Sequence, residues 1–165
     1  MSTRLVPVGP EHAGPIQRLV EASPDVVGQT RLPDPYPPGG AAAWVAAVAP
    51  RHGRGEEYAF AVVDGGGAVV GACGLVVAGR EAELGYWVGR GHRGRGHATA
   101  AARAAVRFAF GTAGLDRVFA LPLADNAASR RVLERAGLAL VGTRPAEARW
   151  AGRHQAEYEA VRPTR

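Results

Sequence analysis

The chain has 165 residues, 47% of them hydrophobic, with a formal net charge of +5 and a single cysteine. That length and apolar content predict one domain with a real core and argue against disorder. There is no apolar run of about 18 residues and no basic segment leading into an apolar one, so neither a membrane span nor a secretory leader is expected, and a cytoplasmic protein is predicted. All twenty basic residues are arginines. The absence of lysine excludes a lysine Schiff base, a Walker-type phosphate lysine and a lysine general base. Cys73 stands alone in an apolar run, which rules out an internal disulfide and reads as a small buried hydrophobe.

Residues 4–8 alternate as a short strand, and 10–22 place Ile16, Leu19 and Val20 at helical spacing. The stretch 33–38 carries four prolines around Tyr36, so it can form neither regular helix nor a central strand and reads as an ordered loop. A second helix is predicted over 39–50. Strands at 58–63 and 69–77 flank Asp64-Gly65-Gly66-Gly67, a hairpin signal. A third strand of the chain's middle covers 83–88, where Glu83, Gly85 and Trp87 alternate with Leu84, Tyr86 and Val88. The run 95–111 puts Thr99, Arg103 and Arg107 on one helical stripe and small alanines on the others, as a helix packed closely on a sheet requires. Residues 116–123 form another strand, interrupted by Pro122, whose missing donor implies that pairing stops or splays there. Asp125-Asn126 then reads as a helix start, Gly137 as its stop, and 138–149 with 153–161 as a last antiparallel pair turning at Gly152.

Chemistry concentrates between the middle strand and the alanine-rich helix, in Arg93-Gly94-Arg95-Gly96-His97-Ala98. Glycine lets backbone approach a ligand at positive φ, and the first turn of the following helix offers N–H groups with no internal partner and a partial positive charge. A pyrophosphate cradle and an ordinary loop before a helix are the two readings. Arg90, Arg93, Arg95, Arg103 and Arg107 crowd this region, and Arg130, Arg131 and Arg135 form a second cluster. Polyanion binding, nucleic-acid binding and solvated helix faces all fit such clusters. Aromatic residues are not interleaved with them as base-stacking platforms require, so a nucleic-acid partner is not expected. His92 and His97 are five apart without acidic companions, so no metal is expected, and a loop position or a solvent contact at the helix start accounts for them.

Three spaced clusters, 83–88, 93–98 and 126–138, lie in the order strand, glycine-bearing loop, helix, strand, helix, two strands. With them the chain resembles the GNAT family of N-acetyltransferases over nearly its whole length, and within that family the RimJ/RimL-like branch of ribosomal-protein alanine acetyltransferases. Arg93, Gly96 and Ala98 match the family's Q/R-x-x-G-x-G/A signature. The resemblance implies an α+β fold: a mostly antiparallel central sheet of about six to seven strands, splayed between the fourth and fifth strands of the chain and flanked by about four helices. It implies acetyl-coenzyme A as cosubstrate, and acetyl transfer to a primary amine on a protein N-terminus or small molecule by direct attack in a ternary complex. It leaves a homodimer open.

The same resemblance assigns roles. Backbone amides of Arg93, Gly94, Arg95, Gly96, His97, Ala98 and Thr99 would hold the pyrophosphate. Trp87 and Val88 would run beside the pantetheine arm, with the Val88 N–H as oxyanion donor. Asn126 would contact pantetheine, or would only cap its helix. Glu83 would take the amine's proton through water, or would position the ammonium or pair with an arginine. Many relatives carry a tyrosine in the last helix. None occurs between Asn126 and Gly137 here, and Ser129 is the remaining hydroxyl, as proton donor, thiol contact or helix-start hydrogen bond. Tyr36 would line the acceptor pocket, while Trp44 and Trp150 read as core or loop anchors. Two other functions stand beside the enzyme: a catalytically idle coenzyme A sensor or scaffold of the same fold, and a basic nucleic-acid-binding domain.

Overall fold

The structure, a computed structural model, describes residues 2–164. Its strands and helices are β1 (Thr3–Pro7), α1 (Pro10–Glu21), α2 (Pro24–Gln29), α3 (Gly40–Gly53), β2 (Glu57–Asp64), β3 (Val69–Ala78), β4 (Glu81–Val88), α4 (His97–Gly111), β5 (Arg117–Ala120), α5 (Ala127–Arg135), β6 (Ala139–Pro145) and β7 (His154–Val161). The seven strands form one sheet in the order β1-β2-β3-β4-β5-β7-β6, antiparallel except for the parallel pair β4–β5. The expected mixed fold with its splay between the fourth and fifth strands is therefore present. Short α2 adds to the four helices expected, and the strand predicted over 138–149 ends at Pro145 before a 3-10 turn at Ala148–Trp150.

Alternation along β4 decides which residue meets which layer. Leu84 and Tyr86 face α4 and α5, where the sheet packs on Ala101, Ala102, Ala105 and Ala109 of α4 and Leu133 of α5. The alanines let α4 lie close, so its N-terminus arrives directly beyond the end of β4. Trp87 faces the other layer, with Ile16 and Val20 of α1, Val27 of α2 and Ala41 of α3. On that face the register sets Glu57, Val76 and Glu83 in one row across β2, β3 and β4, and Ala59, Gly74 and Gly85 in the next. The second row has almost no side chain, so it forms the floor of a trough.

Pairing between β4 and β5 covers only Glu81↔Arg117, Ala82↔Val118 and Glu83↔Phe119. On its other edge β5 pairs with β7 throughout, and contacts with β7 continue beyond Ala120 while the β4 side stays open. The Leu121 carbonyl accepts from the Gln155 side chain at 2.9 Å, the Pro122 carbonyl from the Ala156 N–H at 2.9 Å, and Leu123 bridges to Gln155. Gln155 is buried, and its amide oxygen also accepts from the Glu147 N–H at 3.3 Å. Pro122 turns its nitrogen to the same β7 side as its carbonyl, so its missing donor omits one bond of that ladder where regular β5–β7 pairing gives way to the isolated Leu123–Gln155 bridge.

The end of β4 is tightly held on its other edge. A Cβ built on Gly71, which pairs with Val88, would lie 2.1 Å from the Trp87 carbonyl oxygen, whereas one built on Gly85 would meet nothing within 4 Å. Gly71→Ala is expected to lower stability by about 1–3 kcal/mol through that backbone clash, read as a fall in the urea midpoint. Gly85→Ala is expected to leave the midpoint nearly unchanged.

Candidate functional site

Two adjoining cavities open along the splay. One, about 650 Å³, lies over the trough of Gly74 and Gly85 and is bordered by Glu83, Tyr36, Trp44 and Trp150. The other, about 420 Å³, runs from Trp87 and Val88 to the loop after β4 and the start of α4. Gln29, Thr30, Tyr86, Trp87 and Ser129 border both, so the two volumes meet at the splay.

The smaller cavity ends in a cradle of backbone. Gly94 and Gly96 have φ of 75° and 82°, a region that disfavours residues with a Cβ. Gly96 caps α4 without a side chain, and the helix's own bonding begins with Ala100 N–H to Gly96 C=O at 3.0 Å. The N–H groups of His97, Ala98 and Thr99 therefore belong to the unpaired first turn, where the helix dipole adds positive potential. Of the seven residues predicted for the cradle, Arg93, Gly94, Gly96, His97, Ala98 and Thr99 border this cavity; Arg95 does not. The Arg93 side chain turns back, giving Nε to the Val88 carbonyl at 3.0 Å and Nη1 to Asp25 at 2.7 Å. Its guanidinium holds the Asp25 carboxyl below the usual carboxylate range, against the effect of burial. Arg103 binds the Arg135 carbonyl at 2.7 Å and is spent on joining α4 to α5. His97 departs from the expected solvent contact: its ring is buried beneath β1, with Nδ1 2.9 Å from Thr3 Oγ1, and only its backbone faces the cradle.

Trp87 and Val88 form the wall between cradle and splay. Gly71 and Val88 are a non-hydrogen-bonded antiparallel pair, since Gly89 N–H bonds Val70 C=O at 2.8 Å. The N–H of Val88 thus points away from β3 and into the splay, where no strand pairs with it.

Across the splay stands α5. Asn126 caps it, with Oδ1 accepting from the Ser129 N–H at 3.2 Å, and its Nδ2 donates to Gln29 Oε1 at 3.0 Å. The capping role is thus met, and the same residue borders the smaller cavity. Ser129 Oγ lies 2.8 Å from the Tyr86 hydroxyl, which also reaches the Ser129 carbonyl at 3.0 Å. Burial pushes the Tyr86 phenol well above its ordinary range.

At the larger cavity, Glu83 is not free. Its carboxylate is paired with Arg31 Nη1, while Arg31 Nε contacts both Glu147 carboxylate oxygens at 3.0 and 3.1 Å. Burial works against the Arg31 charge, but Glu83 and then Glu147 outweigh it and hold the guanidinium firmly protonated. This cluster belongs to a strap over the splay. Trp150 Nε1 donates to the Gly28 carbonyl at 2.8 Å, and Arg149 Nη2 to the Leu32 carbonyl at 3.0 Å. Residues 28–32 and 147–150 are thereby tied together. Tyr36 borders the cavity, and so do Trp44, which packs in the cluster of α1 and α3, and Trp150, held through its Nε1. Arg31, Tyr86, Glu147 and Gln155 escape the sequence, because each acts through a partner at least 8 positions away. Only the alternation that sends Tyr86 to the α5 face signalled one of them.

No group of three or more metal-ligating side chains occurs among the described residues. Cys73 is 2% exposed, and burial pushes its thiol up to about 12. A raised folded-state value stabilises the fold fully below the ordinary thiol range, and that contribution is lost as pH rises toward the folded value. The native protein is expected to resist iodoacetamide at pH 8 and to be alkylated at Cys73 once unfolded in guanidinium, with mass spectrometry as the readout.

Comparison with known proteins gives a consistent picture. A family model described as acetyltransferase (GNAT) domain matches residues 3–139. No curated protein sequence matches the chain. Among solved structures, a RimL ribosomal L7/L12 alpha-N-protein acetyltransferase in complex with coenzyme A superposes with TM-score 0.89 at 16% identity, over 98% of this chain and 95% of that one. RimJ from Mycobacterium smegmatis, with a coenzyme A disulfide, gives 0.84 at 22% identity, over 96% and 81%. The microcin C7 self-immunity acetyltransferase MccE, with acetyl-coenzyme A and AMP, gives 0.86 at 17% identity, over 96% and 92%.

Proposed function

The chain belongs to the GNAT family and is an acetyl-coenzyme A-dependent N-acetyltransferase, and we propose that it passes the acetyl group directly to a primary amine at the junction of the two cavities. The observation that carries this reading is the splay itself: an unpaired strand edge leading from a backbone cradle to a second, acceptor-sized cavity. The cradle of Arg93, Gly94 and Gly96 to Thr99 holds the pyrophosphate, while Arg95 lies outside it. Pantetheine lies along Trp87 and Val88 as a further strand would, and Asn126 meets it from the α5 side while capping the helix.

In the acetyl transfer, the amine nitrogen forms a bond to the carbonyl carbon of the thioester. The Val88 N–H meets the developing oxyanion, a role that needs no side chain. The C–S bond breaks with its electron pair on sulfur, and Ser129 Oγ–H meets the thiolate. The surplus proton on nitrogen leaves through Glu83 and water. Glu83 first anchors the acceptor ammonium, which takes the position now held by Arg31 Nη1 and gives up one proton through Glu83 to water before the neutral amine attacks, the second leaving after the N–C bond forms. Tyr36 borders the acceptor's path along the trough, and the acceptor is a protein N-terminus or a small molecule bearing an amine. The Arg31 and Glu147 cluster supports that assignment, since it shows that a cation is accommodated against Glu83.

The test is acetyl-coenzyme A consumption against a panel of amines and amine-terminated peptides, with mass detection of product. One acetyl group on the acceptor nitrogen is the expected outcome. Glu83→Gln is expected to reduce kcat/KM for the acceptor about tenfold to a hundredfold, as loss of a charge-assisted hydrogen bond predicts, with acetyl-coenzyme A affinity unchanged by calorimetry. An idle coenzyme A binder would show the affinity and acetylate nothing on the panel. Absence of affinity for acetyl-coenzyme A would refute the cradle.

A further inference from the structure

Glycine inside a strand weakens it, because its backbone loses the most freedom on folding and no side chain packs there, so an interior strand glycine calls for a reason. Gly71 has one in the Trp87 carbonyl, and Gly74 has one in the Tyr58 carbonyl, which a Cβ would approach to 3.3 Å. Gly85 has neither a close neighbour nor a positive φ, and a Cβ there meets nothing within 4 Å. It is exposed, and alternation puts it between Glu83 and Trp87 on the face that carries the trough. The remaining reason for glycine is the close approach of a ligand. We propose that the acceptor is a monoamine with an apolar, ring-sized body, and that Gly85 sets the room for that body. This rests on the reading of Glu83 as the anchor of the acceptor ammonium and names the acceptor's class.

Shape, charge and backbone of the trough all point to that class. The floor of Ala59, Gly74 and Gly85 crosses three strands, about 10 Å at the ordinary strand spacing, which is the scale of an aromatic ring on a short linker. The chain's three tryptophans, Trp44, Trp87 and Trp150, border the cavity over it. Among the described residues, its charged border consists of Arg31, Glu57 and Glu83. Glu57 faces Arg51 at 3.8 Å and Glu83 faces Arg31, so an arriving monocation takes over Glu83 while Arg31 stays with Glu147, whereas a polycation would have to break the Glu57 pair as well. The backbone of β2, β3 and β4 is already paired within the sheet. A peptide laid along the floor would therefore bury amides without partners, and an apolar body asks for none.

The body and the ammonium are held at different places, and that makes the roles separable. The ammonium belongs to the Glu83 end, while the ring lies over Gly85 and Gly74 between the tryptophans. Gly85→Val puts a branched side chain into the space of the ring and leaves the Glu83 carboxylate in place, so its effect grows with the size of the acceptor.

Because all three tryptophans border the cavity, their emission reads acceptor binding without turnover. The coenzyme A complex of the protein is titrated with 2-phenylethylamine, propylamine, spermidine and an alanine-terminated tripeptide, and the same four are assayed for acetylation with mass detection. 2-Phenylethylamine is expected to shift the emission saturably, with a Kd about tenfold to a hundredfold below that of propylamine, the scale of burying one ring. It is also expected to be acetylated with the highest kcat/KM of the four. Gly85→Val is expected to remove most of that preference, with acetyl-coenzyme A affinity unchanged by calorimetry. Should Gly85→Val fail to fold, Gly85→Ala is titrated instead and should lower the preference in the same direction. Tighter binding of spermidine or the tripeptide, or a preference for 2-phenylethylamine that survives the substitution, overturns the proposal. Turnover separates the two levels. Acetylation of another amine on the panel with 2-phenylethylamine unbound sinks this inference alone. Acetyl-coenzyme A bound with none of the four acetylated removes the direct-transfer reading, and the emission titration still decides which class of ligand the trough takes.

Discussion

Hydrogen bonding between β4 and β5 stops after Glu83 and Phe119, and the rest of the site depends on where those backbone groups turn instead. A buried carbonyl left without a donor is costly, so a sheet opens only if the departing strand is satisfied elsewhere. Gln155 supplies that satisfaction to Leu121, and the Ala156 N–H supplies it to Pro122. β5 keeps β7 on its other edge throughout, and the far half of β4 keeps one edge free. The free edge accounts for both the Val88 N–H that faces the splay and the channel that joins the two cavities.

The two ends of that channel differ in electrostatic design. At the cradle, the positive character comes from unpaired backbone N–H groups and the α4 dipole, while the nearby arginines are held back: Arg93 by Asp25 and the Val88 carbonyl, Arg90 by Asp25. Backbone dipoles are fixed in place by the helix and lose no side-chain entropy on binding, which suits a ligand recognised through its diphosphate. At the larger cavity, carboxylates on two segments share one guanidinium. Glu83 and Glu147 would repel each other across the mouth of the trough, and Arg31 neutralises both while it ties the strap closed. The net charge of +5 therefore says little about partners, since many of the arginines are engaged inside the molecule.

Much of this fold is readable from the chain in one dimension. Alternation over 83–88 places a strand, the alanine stripe of 98–109 places a helix close on a sheet, and Pro122 marks the end of pairing. Asn126 and Gly137 mark the two ends of α5, and the structure finds Asn126 capping and Gly137 at φ 95°. Helix α2 was harder to read. Six residues with two valines and a glycine carry too short a period to separate from a loop, and Val26 and Val27 are buried, Val27 in the cluster with Ile16 and Val20 of α1. His97 likewise reads as an exposed helix start until β1, which begins 94 positions earlier, lays Thr3 over its ring.

By itself the sequence determined the local events: period, turn, cap and glycine-bearing loop, because each is decided within one or two turns of chain. From those and their order it also determined the family. The tertiary structure alone decided the partners of the side chains along the splay. Ser129 meets Tyr86 across 43 positions and Glu83 meets Arg31 across 52, distances at which no periodicity carries information. Such pairs exist only after strand register and helix placement have been settled by the core, since a shift of one residue in β4 would turn Tyr86 to the opposite face of the sheet.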